Sequence, residues 1–130
     1  NPKNIMQNYA RNMGKVVAHL RQAFPETSIL VFSVPDHEQR GADGIKTLKE
    51  VHALVAFQQQ MAADKKVGFY NFFQAMGGEG ATRRLVERDM ANKDYTHLSY
   101  GGGKYVADKI YPSFKAGLKN YQRRIKLESQ

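Results

Sequence analysis

The chain has 130 residues, of which 42% are hydrophobic, enough for one domain with one core. Its longest apolar run, Ile29 to Val34 with Ser33 inside it, is far shorter than the roughly 20 residues of a membrane-spanning helix. The absence of cysteine excludes a disulfide framework and a thiolate metal site. A net charge of +8 raises nucleic-acid binding as a class, but the basic residues are spread out. From Asp94 onward seven Lys and Arg stand against three Asp and Glu, and Lys115, Lys119, Arg123 and Lys126 recur at helical spacing, as on a solvated helix face. No specific nucleic-acid surface is expected, and nothing calls for a cofactor.

In chain order, Ile5, Tyr9, Met13, Val16, Val17, Leu20 and Phe24 keep the spacing of an amphipathic helix, with Pro2 near its start and Pro25 stopping it. Ser28 to Val34 reads as a parallel strand covered on both faces. Residues 35–46 turn polar and carry Gly41 and Gly44, which predicts a loop at that strand's C-terminal end. Leu48, Val51, Leu54, Val55 and Met61 then mark a second helix, with Thr47 as N-cap and Glu50 completing a capping box.

Val67 to Phe72 predicts a second short strand, followed by Phe73 to Met76, a glycine turn over Gly77 to Gly80 and a short helix from Ala81 to Asp89. After a polar stretch from Ala91 to Leu98, a last helix is expected from about Gly102 to Arg124, burying Val106, Ile110, Phe114, Leu118 and Tyr121, with Pro112 as a kink point. This alternation is α/β, with a parallel sheet between helical layers. Two strands alone would leave edges and apolar helix faces uncovered, so the chain reads as the final part of a larger doubly wound domain. It begins at Asn1 without an initiator methionine or a targeting pattern, in line with a piece cut from a longer protein.

The chemically informative stretch is Lys93 to Gly103, a polar loop ahead of the last helix. Asp94 and His97, three apart on such a loop, can hydrogen-bond, so that the carboxylate fixes the imidazole tautomer and stabilises the imidazolium formed during proton transfer. The plainer alternative is a helix-capping aspartate beside a surface histidine. Asp36, His37 and Glu38 offer metal-ligand types, but neighbours on an extended chain point apart and one metal would need further ligands. Asp36, His37 and Arg40 are instead candidates for shaping a substrate entrance. Gly101 to Lys104 lacks the pattern of a phosphate-binding loop, and close backbone packing explains its glycines better. His19 and His52 read as ordinary helix residues.

The segment Asp94-Tyr95-Thr96-His97-Leu98, followed by small residues and a closing amphipathic helix, resembles the last conserved block of the SGNH/GDSL hydrolases. The helix ending in Phe24-Pro25, the strand from Ser28 to Pro35 and the segment from Asn71 to Gly78 are also similar to bacterial acylhydrolases of that family. The resemblance covers most of the chain and implies a three-layer α/β/α, flavodoxin-like fold, of which residues 1–130 are the C-terminal part of a single domain. It also implies a serine esterase in which Asp94 and His97 are the acid and base of the catalytic triad. The family's Gly-Asp-Ser nucleophile motif and the Gly and Asn of its oxyanion hole are missing from these residues, so this piece alone is expected to be inactive.

The resemblance further implies an acyl ester substrate, such as O-acetyl groups on a carbohydrate, and a periplasmic or secreted location. The expected partner is the N-terminal half of the same domain, or a second copy through self-association. The other readings are a non-catalytic fragment that folds by association and a basic domain that binds nucleic acid weakly.

Overall fold

In the computed structural model, which describes residues 1–130, helix α1 spans Pro2–Ala23 and is capped by the Asn1 side chain, which accepts from the Lys3 N–H. Pro2 fits the first turn, because the N–H it lacks would have no partner within the helix. The buried face of α1, Ala10, Gly14 and Val17, packs against α2, Lys49–Lys65. The Arg21 guanidinium joins the two helices by donating to the carbonyls of Lys65 and Lys66.

Strand β1 is Leu30–Phe32; its parallel partner, the last strand of the chain, is β4, Gly68–Tyr70, in the register Leu30 to Gly68, Val31 to Phe69 and Phe32 to Tyr70. Helix α2 lies in the crossover between them, the long connection that a parallel pair requires. Val31 points into a cluster with Val17 and Met61. Leu30 and Phe32, on the opposite face, stay exposed, so the strand read as covered on both faces is covered on one. The partial cover on that second face comes from Phe114, whose ring stacks on Phe32 and Tyr70 at centroid distances of 6.1 and 5.4 Å.

Residues 35–46, read as a loop, contain an antiparallel hairpin, β2 (Glu38–Gly41) and β3 (Gly44–Thr47). Its side chains are mostly polar, so apolar periodicity carried no strand signal. The ladder from Glu38–Thr47 to Gly41–Gly44 makes it a sheet, and Gly44 closes the turn at φ +95°. Thr47 is not the cap of α2. It ends β3, and Leu48, with no side-chain oxygen, holds the N-cap position.

Beyond β4 come α3, Phe72–Met76, capped by the Asn71 side chain, then the glycine turn and α4, Ala81–Glu87. Helix α5, Tyr100–Glu128, is longer than the sequence suggested, with Pro112 inside it. Its first half is seated through Gly102 and Val106 on Met76, Ala81, Leu85 and Ala91. Phe114, Leu118 and Tyr121, expected in the core, are exposed, Leu118 to 57%. Phe114 reaches only the exposed face of β1 and β4, and the helix then outruns the rest of the chain, leaving Leu118 and Tyr121 uncovered. The single core expected from length is likewise three small clusters, two of which share the half-buried Phe69. No helix is long and apolar enough to cross a membrane.

Candidate active site

The loop between α4 and α5 is pinned at its base. Ala91 and Leu98 form an isolated bridge, the Asn92 N–H donates to the His97 carbonyl at 2.8 Å and the Ser99 N–H donates to the Met90 carbonyl at 3.0 Å. Ser99 caps α5, its hydroxyl accepting from the Gly102 N–H and donating to the Asp89 carbonyl, both at 3.1 Å. Gly102 sits directly against the Met90 carbonyl, where a Cβ would collide with the oxygen. Among the three consecutive glycines this close backbone approach applies to Gly102; Gly101 and Gly103 face open space.

Within this closed loop Asp94 is organised by its own neighbours. Oδ1 accepts from the N–H groups of Thr96 and His97 at 3.0 and 3.1 Å, the local turn that aspartate side chains favour. Oδ2 lies 2.6 Å from His97 Nδ1. The hydrogen bond to the His97 ring, helped by the two backbone donors, lowers the Asp94 carboxyl from 3.8 to about 2. Asp94 is therefore a carboxylate at neutral pH, and it assigns the Nδ1–H tautomer to the neutral imidazole. The acceptor lone pair then lies on Nε2, and the His97 side chain is 73% exposed.

Beneath the loop is a buried polar junction that sequence reasoning missed. Asp36, 1% exposed, accepts from the Thr47 hydroxyl on Oδ1 at 2.7 Å and from the Thr82 N–H on Oδ2 at 2.8 Å. The Thr82 hydroxyl donates to the Asp36 carbonyl, and the Thr47 hydroxyl accepts from the Gly80 N–H, each at 3.0 Å. The hairpin is thereby tied to the start of α4. Glu38 follows at the start of β2, and its N–H donates to the Tyr95 carbonyl at 3.2 Å, tying the hairpin to the Asp94 loop. No periodicity or motif marks these contacts.

The three residues proposed for a substrate entrance differ in their surroundings. The Asp36 carboxylate is engaged in the junction, with a donor on each oxygen, and Asp36 also borders the hollow that His37 lines. His37 and Arg40 are exposed. His37 borders a hollow of about 260 Å³ that Met6, Val34, Pro35, Leu48 and Thr96 also line, next to the reactive pair. Arg40 faces Lys93, Asp94 and Tyr95 across a second shallow depression. Asp36, His37 and Glu38 do not converge, and no group of three or more His, Asp or Glu side chains could hold a metal ion. The Ser33 hydroxyl is buried between the Val34 carbonyl and the Phe73 N–H, and neither Ser33 nor Ser99 bonds to His97.

No family model matches the sequence, and no curated protein matches it. Solved structures do. One described as "Peptidoglycan O-acetylesterase in action, 5 min" superposes with a TM-score of 0.77 at 20% identity, over 88% of this chain and 33% of that one. The esterase domain of the ORF1 protein from the zebrafish ZfL2-1 retrotransposon superposes with a TM-score of 0.62 at 17% identity, over 85% of this chain and 60% of that one. This chain shares with both a partial α/β fold, parallel pair included. At these identities the likeness is one of fold. The chain spans one third of the first neighbour's length, 33%, and 60% of the second's.

Proposed function

We propose that this chain supplies the aspartate and histidine of a serine esterase site whose nucleophile and oxyanion donors lie outside these 130 residues. The observation that carries the reading is the 2.6 Å contact between Asp94 Oδ2 and His97 Nδ1, with the opposite edge of the ring open. Its place in the fold agrees. Thr96 lines the same hollow as Val34 and Pro35, which follow β1, and parallel sheets build sites at the C-terminal ends of their strands.

In the proposed reaction His97 Nε2 takes the proton of the serine hydroxyl as the serine oxygen attacks the ester carbonyl. The resulting imidazolium returns that proton to the leaving alcohol. A water molecule, deprotonated by the same nitrogen, then attacks the acyl-enzyme, and the proton goes back to the serine as the carboxylic acid leaves. Asp94 remains ionised throughout. It keeps Nε2 as the acceptor and stabilises the positive ring. A fixed base of this kind is worth about 10²–10⁴ in rate. The substrate class we propose is an acyl ester, O-acetyl groups on a carbohydrate in particular; the first neighbour's description as a peptidoglycan O-acetylesterase supports it.

The second half of the site would be brought by the rest of the same domain or by another chain. The open edge of β1, the exposed Leu30 and Phe32, and the apolar stripes of α1 and α5 are the surfaces such a partner would cover. The test is hydrolysis of a nitrophenyl acetate by the 130-residue chain and by a longer protein that contains it. The longer protein should turn over and the chain alone should match buffer. A rate for the chain alone that depends on His97 would overturn the division of the site.

A further inference from the structure

Glu38 is 2% exposed, and both of its carboxyl oxygens are buried without a well-formed hydrogen bond, the Arg83 N–H lying near them. Asp36, equally buried, has a donor on each oxygen. A buried carboxylate so poorly served by donors is disfavoured against the uncharged acid. Burial accordingly pushes the Glu38 carboxyl up from its ordinary 4.5, and the Asp36 carboxylate beside it pushes the same way. The Arg83 N–H and the guanidinium groups of Arg83 and Arg84 act in the opposite direction. Those two arginines and Asp36 act on it most directly, and His37, Arg40, Lys93 and Asp94 border the shallow depression that Glu38 also lines. Both arginines are engaged elsewhere: Arg84 donates to the carbonyls of Glu79 and Gly77, and Arg83 reaches Glu87.

The position of Glu38 makes this burial consequential. Its side chain lies against the turn before α4, where a Cβ on Gly80 would be 3.8 Å from Oε1. Its N–H holds the Tyr95 carbonyl, and Tyr95 is the middle of the Asp94–His97 loop, in the left-handed region at φ +57°. A non-glycine residue keeps that conformation only while its surroundings enforce it.

We propose that Glu38 is a positioning residue for the Asp94 and His97 pair. Its buried side chain seats the start of β2 on the turn before α4, and its N–H then fixes Tyr95 and the reactive loop. Ionisation places a second negative charge beside Asp36 in the same closed space, drives β2 off the turn and releases the Tyr95 carbonyl. The meaning of this device for catalysis rests on the esterase reading above; the geometry itself does not.

Nuclear magnetic resonance of the chain across pH 4–8 tests it without any ester. The Glu38 carboxyl carbon should titrate above the ordinary carboxylate range. Over the same interval the Glu38 N–H should lose about tenfold or more in exchange protection, as for a local opening, and the His97 ring resonances should respond at the Glu38 midpoint. Glu38→Gln, which cannot ionise, should abolish both effects. Titration of Glu38 in the ordinary range, or an unchanged response of the His97 ring at that pH in Glu38→Gln, overturns the proposal. If Glu38→Gln does not fold, the carboxyl-carbon and amide measurements on the unsubstituted chain decide alone. Loss of turnover in His97→Ala addresses the esterase reading and leaves this result untouched.

Discussion

Gly102 lies so close under the Met90 carbonyl that no side chain fits between them. Met90 accepts from the Ser99 N–H at the base of the reactive loop, so this contact sets where α5 begins relative to Asp94 and His97. Gly102→Ala should therefore destabilise the chain by about 1–3 kcal/mol, the cost of overpacking against a backbone that must shift. Gly101→Ala and Gly103→Ala, with open space around their Cα atoms, should be neutral or slightly stabilising in a helix. Urea unfolding of the three variants gives the comparison, and equal effects would remove the special role of Gly102.

In a protein that contains the nucleophile, His97→Ala should lower kcat for nitrophenyl acetate by about 10²–10⁴ while the melting temperature barely moves. The His97 side chain is mostly exposed and packs little, so activity and stability should separate. Asp94→Asn keeps a group next to the ring but favours the wrong tautomer, and kcat should again fall. Near-normal kcat in His97→Ala would exclude it as the base.

The junction at Asp36 should be sensitive to loss of a single acceptor. Asp36→Asn places an NH₂ against either the Thr47 hydroxyl or the Thr82 N–H and leaves a buried donor unpaired, at about 1–3 kcal/mol. Thr82→Val, which removes the bond to the Asp36 carbonyl but keeps the N–H, should cost less. Denaturant midpoints would show the order, and an Asp36→Asn variant as stable as the original would mean that the junction relaxes to water.

The Asp94 carboxyl is lowered from 3.8 to about 2 in the folded chain, so the stabilisation it contributes is complete above 3.8 and is lost as pH falls through about 2. Both side chains are substantially exposed, and the loss should be local to the loop. Carboxyl-carbon resonances should give a midpoint near 2 for Asp94 and a rise toward the ordinary value in His97→Ala, incomplete because the Thr96 and residue-97 N–H groups remain. An Asp94 midpoint that His97→Ala leaves unchanged would break the assignment of the ring as the main cause.

Leu118, Tyr121 and Ile125 form an exposed stripe on α5, and Leu30 and Phe32 are exposed on the strand with the open edge. The isolated chain should associate with rising concentration in sedimentation experiments. Leu118→Lys combined with Ile125→Lys should weaken that association. A monomer that melts cooperatively at every concentration would mean that these surfaces need no partner.

The sequence by itself determined the elements whose signal is local. Apolar spacing and the flanking Pro2 and Pro25 defined α1, the β-branched run from Ile29 to Val34 located β1, and the alternation of helix and strand required a parallel pair. The spacing of Asp94 and His97 was equally legible, because the bonds between them lie within four consecutive residues. Tertiary structure decided what depends on distant parts of the chain. Thr47, with the profile of a helix cap, serves Asp36 and Gly80 instead, and Leu118 and Tyr121, with the profile of a core face, project past every element that could cover them. Asp36 and Glu38 share a polar stretch and look alike in sequence. Asp36 has its charge matched by Thr47 and by Thr82, 46 residues away, while Glu38 is buried without a well-formed hydrogen bond. Burial and hydrogen-bond partners are properties of the neighbours that folding brings together, and nothing in the spacing of residues along the chain encodes them.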